Sequence, residues 1–239
     1  MTLSTPSSPS TPIEPVHDIT LNANEADYIT PDVISRIASI INYSEPESCR
    51  YPIGLLPQEA AWGVAGDGNG LDKFLCLNDR PVAVWLVGVV TSLWLTPSEG
   101  NRVSIGVRLL STRDHVTARR VQFLGCCPQA DPSVAGLSTT AGKYLSQPDG
   151  GGSVSFSEVY DARPKLKAWS IMDKIDPSRV QKTDVVVVEC YIKRFKMRDG
   201  NNRYGWKTWT VGFELLRIAQ LLVGPGPADL VPEDSSVDL

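Results

Sequence analysis

Residues 184–216 read DVVVVECYIKRFKMRDGNNRYGWKTWTVGFELL, and this stretch decides the fold of the chain. Val185 to Met197 is rich in β-branched and aromatic residues and contains neither Pro nor Gly, which is typical of a β-strand. Residues 198–202 supply the Gly and Asn that tolerate the positive φ of a hairpin loop. Residues 204–216 have strand character again. The sequence therefore predicts a long β-hairpin.

The two faces of this hairpin differ, because side chains alternate along a strand. The apolar face is predicted to be core: Val186, Val188, Cys190, Ile192, Trp209, Val211, Phe213 and Leu215. The opposite face carries aromatic and polar side chains around a basic loop: Glu189, Tyr191, Lys193, Phe195, Tyr204, Trp206, Thr208 and Thr210. Phe195 and Tyr204 could be covered by a helix or exposed to solvent, with neither alternative favoured. Trp206 is expected to be exposed. Trp85, Trp94 and Trp209 are expected to pack in the core or at its rim.

Length and composition limit the classes of protein to consider. With 239 residues and 42% hydrophobic content, the chain can form one domain with extensions or two small domains. No run is long and apolar enough to span a membrane, and residues 1–15 lack the apolar segment of a secretion signal. Five cysteines without a CxxC pair disfavour a disulfide framework or a zinc site. We expect an intracellular and, given the resemblance described below, a nuclear protein without cofactor or metal.

The net charge of −4 is distributed unevenly along the chain. Residues 1–80 carry a net charge of −7, residues 81–225 carry +7, and residues 226–239 carry −4. A basic centre between acidic ends indicates either a polyanionic partner or ordinary variation of solvated surface charge.

Four regions are predicted along the chain. Residues 1–29 are rich in Ser, Thr and Pro and predict a disordered arm, and the Pro- and Gly-rich acidic tail at 224–239 does the same. Residues 30–80 predict a helix and an irregular extension packed on the main domain, which spans 81–223. The helix begins at Thr30-Pro31, and its apolar stripe within 33–41 could pack on that domain or dock a partner.

Three strands are predicted before the hairpin. Residues 82–95 are apolar on both faces and interrupted by Gly88, as in a strongly bent strand. Residues 102–109 alternate cleanly, and 116–126 is predicted as a third strand. Residues 127–163 are predicted to be a long surface insertion with a short strand near 154–159, and 166–175 could be helix or strand.

Two segments resemble the OB domains of the replication protein A and telomere-capping families. VWLVGVV at 84–90 is similar to their first strand, and DVVVVECYIKRF at 184–195 to their fourth, although Thr183 and Cys190 stand where those families usually have Gly. The resemblance covers about 81–222 and implies a mainly β, five-stranded OB-like Greek-key barrel. OB-folds bind single strands on the surface of strands 2 and 3 and in the loops that join strands 1–2 and 4–5.

The resemblance implies where single-stranded DNA or RNA would bind. The loop between strands 1 and 2 would be Thr96–Asn101, and the loop between strands 4 and 5 would be Arg198–Arg203. Cations follow phosphates while aromatic rings stack on bases, so one set of residues is predicted to bind nucleic acid. It comprises Arg102, Arg108, Arg119, Arg120, Tyr191, Lys193, Phe195, Lys196, Arg198, Arg203, Tyr204, Trp206 and Lys207.

An enzyme and a scaffold subunit are the two alternatives to a single-strand binding protein. An enzyme would have to rely on His115 or on Asp173, Asp176 and Asp184, and no GxSxG nucleophile motif is present, so no catalytic residue is predicted. A scaffold subunit would recruit other subunits through the 33–41 helix or the ends of the chain, and would show an exposed apolar groove. We expect single-stranded nucleic-acid binding in DNA replication, repair or telomere maintenance, with no membrane partner.

Overall fold

The computed structural model describes residues 18–65, 70–97, 101–131, 136–146, 155–197 and 206–226. The α-helices in these ranges are α1 (Ala23–Ala26), α2 (Pro31–Ile41) and α3 (Thr112–Leu124). The first strands are β1 (Arg50–Pro52), β2 (Ala61–Trp62), β3 (Leu75–Leu77), β4 (Arg80–Pro81) and β5 (Ala83–Trp94). The later strands are β6 (Arg102–Leu109), β7 (Ser138–Tyr144), β8 (Val159–Asp161), β9 (Val185–Lys196) and β10 (Trp209–Leu222). The protein is mainly β, as predicted.

Five strands pair in a ring that returns to the strand where it began. β5 pairs with β6 and β6 with β7, both antiparallel; β7 pairs with β10 in parallel. β10 then pairs with β9, and β9 with β5, again antiparallel. The order β5-β6-β7-β10-β9 is that of an OB-like barrel, so the predicted fold class is confirmed. The short strands β1 and β8 extend this sheet alongside β5 and β10.

The interior of the barrel is filled by the apolar face predicted from the hairpin. Val186, Val188, Cys190 and Ile192 on β9 are buried there, together with Val211, Phe213 and Leu215 on β10. Gly88 allows β5 to approach β6 closely, because a Cβ at this position would lie 2.4 Å from the carbonyl oxygen of Arg108. A bulge follows between Val90 and Ser92, which gives β5 the irregularity that its glycine indicated.

The third barrel strand is not where it was predicted. Residues 112–124 form α3, whose N-terminus is capped by the Ser111 hydroxyl accepting a hydrogen bond from the Asp114 amide. The third strand is β7, which lies inside the stretch predicted to be an insertion at 127–163. That stretch also contributes β8, a few residues later than the extra strand predicted near 154–159. Residues 166–175 contain a single 3₁₀ turn, Trp169–Ile171, and an isolated β-bridge from Lys174 to Tyr160.

A second apolar core lies on the outside of the barrel. The stripe of α2, including Ile37, Ile40 and Ile41, packs against Trp85 and Val87 of β5. Most of the apolar stripe is therefore packed on the barrel, which is the first of the two alternatives expected for it. The arm predicted to be disordered from 1 to 29 forms α1 within its described part, residues 18–29, where Asn22 and Glu25 make a capping box. The rest of the arm and residues 227–239 of the tail lie outside the described residues.

Buried polar bonds hold the start of β9 against the end of β10. The Asp184 carboxylate accepts hydrogen bonds from the backbone amides of Gln181 and Gly224, at 3.0 and 2.9 Å, and from the Gln220 side chain at 2.6 Å. A Cβ on Gly224 would lie 2.3 Å from the Thr183 carbonyl oxygen, so this close approach requires glycine. Asp184 therefore has a structural role in closing the barrel.

Candidate nucleic-acid interface

One outer face of the barrel combines exposed aromatic rings with a floor of small residues. On this face Trp94 of β5 pairs with Ser104 of β6, and Ser104 pairs with Gly142 of β7. The neighbouring row pairs Arg102 with Tyr144. Directly paired residues share a face, so Trp94, Arg102 and Tyr144 all point outward. We call this surface, formed by the outward-facing residues of 92–94 in β5, 102–106 in β6 and 140–144 in β7, the β5–β7 face.

The aromatic rings of the β5–β7 face are open to solvent. The side chain of Trp94 is 53% exposed and that of Tyr144 is 70% exposed. From the strand spacing and the rise per residue, their Cα atoms are about 12 Å apart. Separate bases of one strand could therefore stack on each ring.

The floor between the aromatic rings is flat because the residues there are small. Ser92, Gly106 and Thr140 form one row, and Ser104 and Gly142 belong to the next. A Cβ at Gly106 would come within 2.3 Å of the Ser92 hydroxyl, so the glycine leaves room for the hydroxyl side chains around it. Gly106 itself is buried, so a ligand on this floor would meet the small side chains of Ser92, Ser104 and Thr140.

Arg102 supplies the cation of the β5–β7 face. It is exposed, and no carboxylate in the described part of the chain forms an ion pair with it. Lys193 and Glu214 lie where the face meets β10, and they form an ion pair with each other. The Glu214 carboxylate, which would repel a phosphate, is thereby neutralised.

Arg108 lies further along β6 than Arg102, and it forms an ion pair with Glu25. Its guanidinium donates from Nε to the Glu25 carboxylate at 3.0 Å and from a second nitrogen to the other carboxylate oxygen. It also donates to the Thr20 carbonyl at 3.3 Å. Because the chain before α2 neutralises this cation, Arg108 is not free to hold a phosphate.

The aromatic face of the hairpin is largely packed against other parts of the chain. Tyr191 meets Phe74 edge to face, with 5.5 Å between ring centroids, and the Lys193 ammonium lies 5.2 Å from the Phe74 ring. Phe195 and Lys196, near the end of β9, are exposed. The predicted covering of this face comes from the segment around Phe74 rather than from α2.

Trp206 lies in a cage around Arg194. The Arg194 guanidinium is within 5.1 Å of the ring centroids of Trp62, Trp206 and Trp209, and its side chain is buried. The Trp206 indole donates a 2.8 Å hydrogen bond to the Asp72 carboxylate. Burial lowers the pKa of the Arg194 guanidinium. Trp206 is thus half-buried and fixed, and the expectation of an exposed ring is wrong.

The remaining predicted site residues are dispersed. Arg119 and Arg120 lie on α3, since the strand predicted for them is a helix. Lys207 is exposed just before β10. Arg198, Arg203 and Tyr204 lie outside the described residues, as does the whole of the predicted strand 4–5 loop. The structure brings together Arg102 with Trp94 and Tyr144, two aromatic residues that the sequence did not assign to the site.

The described residues contain no group of three or more His, Cys, Asp or Glu side chains that could hold a metal ion. Burial lowers the pKa of His115, which lies on α3. No helix in the described part of the chain is long and apolar enough to cross a membrane.

Comparisons with known proteins add a structural likeness. No protein-family model matches the chain, and no curated protein sequence matches it. Among solved structures, the chain is similar to gp2.5, a single-stranded DNA binding protein encoded by bacteriophage T7. The TM-score is 0.36 and the sequence identity is 13%, over 67% of this chain and 100% of gp2.5. The OB-like fold is established by the strand pairing.

Proposed function

We propose that this protein binds single-stranded nucleic acid across the β5–β7 face. The observation that carries the proposal is the presence of Trp94, Arg102 and Tyr144 on one face of neighbouring strands, above a floor of small residues. Single-strand binding needs aromatic planes for bases and cations for phosphates, and this face offers both. It is also formed mainly by the second and third barrel strands, the surface that OB-folds use for such ligands.

The charge of the chain supports the same ligand. Residues 81–225, which form the barrel, carry a net charge of +7. The exposed cations Lys196 and Lys207 lie at the end of the hairpin that the fold associates with single-strand binding. A polyanion would therefore be attracted to the barrel, and its affinity would fall as salt rises, because the release of counterions on binding becomes less favourable.

We infer that the ligand is DNA and that the protein acts by binding rather than by catalysis. The support is the resemblance of segments 84–90 and 184–195 to replication protein A and telomere-capping OB domains. On this basis we propose a nuclear role in DNA replication, repair or telomere maintenance. Matched oligonucleotides of DNA and RNA would test the preference, and equal affinity for both would contradict it.

The proposal is tested by fluorescence-anisotropy titration of a labelled oligo(dT) strand, at low and moderate salt, against a duplex control. We expect salt-sensitive binding that prefers the single strand. Trp94→Ala and Tyr144→Ala should each reduce the binding free energy by about 1–3 kcal/mol, because each removes one stacking plane.

Tyr43→Ala is the matched control for these variants. Tyr43 is 56% exposed, like the two binding aromatics, but it lies at the end of α2 and outside the β5–β7 face. We expect this variant to bind oligo(dT) as the unmodified protein does. If the three variants behaved alike, or if the protein did not bind at low salt, the proposal would be wrong.

A further inference from the structure

A cavity of about 520 Å³ opens on the side of the barrel that faces α2. Its lining is largely apolar and includes Ile40, Trp85, Leu166, Trp169 and Val187. We call it the α2 pocket. Trp85 stands near the start of β5 and Trp94 at its end, so about 30 Å of strand separates the α2 pocket from the β5–β7 face. The two surfaces are therefore distinct.

The aromatic wall of the α2 pocket is held in place by its neighbours. The rings of Tyr43 and Trp85 are stacked, with 6.2 Å between centroids and 13° between planes. The Trp85 indole donates a 3.2 Å hydrogen bond to the Ile40 carbonyl. Trp169 packs edge to face on Tyr160 at 5.3 Å, and the Arg217 guanidinium lies 5.5 Å from its ring. The pocket is thus preformed, as binding cavities for apolar side chains usually are.

One rim of the pocket is a basic segment outside any helix or strand, with unused backbone groups. Lys165 and Lys167 are exposed, and neither forms an ion pair with any described residue. Leu166, between them, lines the pocket. Within the described chain, the backbone of residues 165–167 makes no hydrogen bond. Arg36 fixes the start of the segment by donating to the carbonyls of Ala162 and Arg163.

We propose that the α2 pocket binds an acidic peptide segment of a partner protein through one large apolar anchor residue. The anchor would fill the aromatic cavity, and acidic residues beside it would pair with Lys165 and Lys167. The peptide backbone would bond to the unpaired groups of 165–167, as in strand addition. Charge complementarity selects an acidic rather than a basic partner, because the Glu45 carboxylate in the lining is already paired with Arg50 at 3.4 Å.

The lining of the pocket favours a peptide over a second nucleic-acid strand. Ile40, Leu166, Ala168 and Val187 give the cavity an aliphatic interior, which suits a buried side chain.

The test is selection of a phage-displayed library of random dodecapeptides on the immobilised full chain. We expect the enriched peptides to combine a large apolar residue with flanking Asp or Glu. In titration, the most enriched peptide should bind Tyr43→Ala and the double variant Lys165→Glu/Lys167→Glu at least tenfold more weakly. Lys182→Glu, which reverses an exposed charge away from the pocket, should bind the peptide with unchanged affinity.

The two proposals fail separately. Trp94→Ala should leave peptide binding unchanged, and oligo(dT) should not displace the peptide. Enriched peptides that lack acidic residues, or that bind the double lysine variant as tightly as the unmodified protein, would overturn the peptide site. If oligo(dT) displaced the peptide and bound Tyr43→Ala more weakly, the pocket would belong to the nucleic-acid surface instead.

Discussion

The Arg194 guanidinium lies 4.3 Å from the centre of the Trp206 ring, and Asp72 accepts a hydrogen bond from each of these residues. The backbone carbonyl of Asp72 accepts from Arg194 at 2.7 Å and its carboxylate accepts from the Trp206 indole at 2.8 Å. The Lys196 ammonium also lies 5.0 Å from the Trp206 ring. Trp206 therefore fixes the start of the returning hairpin strand to the segment at 71–73, and its ring already has cationic partners.

Trp206→Ala should destabilise the fold rather than remove a stacking plane. The change deletes a cation–π partner of a buried guanidinium and a hydrogen bond, and we expect the free energy of unfolding to fall by about 2 kcal/mol. Urea denaturation followed by far-UV circular dichroism measures this loss. At a temperature where both proteins are folded, oligo(dT) affinity should change much less than in Trp94→Ala.

Trp94→Ala is the complementary control, because its ring is exposed. Its free energy of unfolding should change by no more than about 0.5 kcal/mol, as for other surface substitutions. A Trp206→Ala protein of unchanged stability and weakened binding would show that the cage is not structural.

Arg108→Gln should lower stability without altering the salt dependence of binding. It leaves the buried Glu25 carboxylate without its guanidinium partner, a change that typically costs about 3–5 kcal/mol. Since Arg108 holds no phosphate in the proposed complex, the slope of log affinity against log salt should stay the same. Thermal unfolding and anisotropy titration at several salt concentrations measure the two quantities.

Arg102→Gln should have the opposite effects to Arg108→Gln: it should alter the salt dependence of binding and leave stability unchanged. This exposed cation has no described ion-pair partner, so stability should be unchanged while the salt slope falls by about 1. Restoring charge balance in the double variant Arg108→Gln/Glu25→Gln should recover part of the stability lost in Arg108→Gln. Equal salt slopes for Arg102→Gln and the unmodified protein would remove Arg102 from the interface.

Glu214→Gln should strengthen oligo(dT) binding. The substitution removes a carboxylate at the border of the β5–β7 face and frees the Lys193 ammonium from its ion pair. The expected gain is a few-fold at low salt, and it should disappear at high salt because the added attraction is screened. Glu158→Gln is a suitable control, since it breaks a comparable ion pair with Lys174 away from this face. A similar gain in both variants would indicate a general charge effect.

The barrel could be predicted from the hairpin sequence. The binding face could not, because it depends on a bulge in β5 that the alternation of apolar and polar residues does not reveal. Val84, Leu86 and Val90 point into the barrel, and strict alternation along β5 would send Trp94 inward as well. The bulge between Val90 and Ser92 shifts this alternation by one residue, so Trp94 emerges on the outside. Gly88 indicated that the strand was irregular, but not which side chains would be reversed.

The other half of the face was missed because its strand does not have strand composition. Residues 138–144 read STTAGKY and lie in a Gly- and Ser-rich region, so β7 resembled a loop. Its pairing with β6 and β10 makes it a strand, and the small residues serve the close packing of the face. The helix α3 was mistaken for that strand because Val116 and Val121 favour β structure locally. The cap at Ser111 was the signal that could have identified the helix.

Asp114→Asn should stabilise the protein at neutral pH and flatten its pH dependence. The Asp114 side chain is fully buried near the start of α3, and burial raises the pKa of this carboxyl to about 6. Between about pH 4 and 6 the folded chain therefore holds a proton that the unfolded chain has lost. The stability associated with this proton is complete below pH 4 and is lost as pH rises through 6, by about 3 kcal/mol in all. Urea unfolding across this range should show the fall in the unmodified protein and its absence in Asp114→Asn.

Asp176→Asn is the control, because the hydrogen bonds from Ser178 lower the pKa of that exposed carboxyl. Its variant should keep the decline between pH 4 and 6, and a decline that persisted in Asp114→Asn would assign the proton to another group.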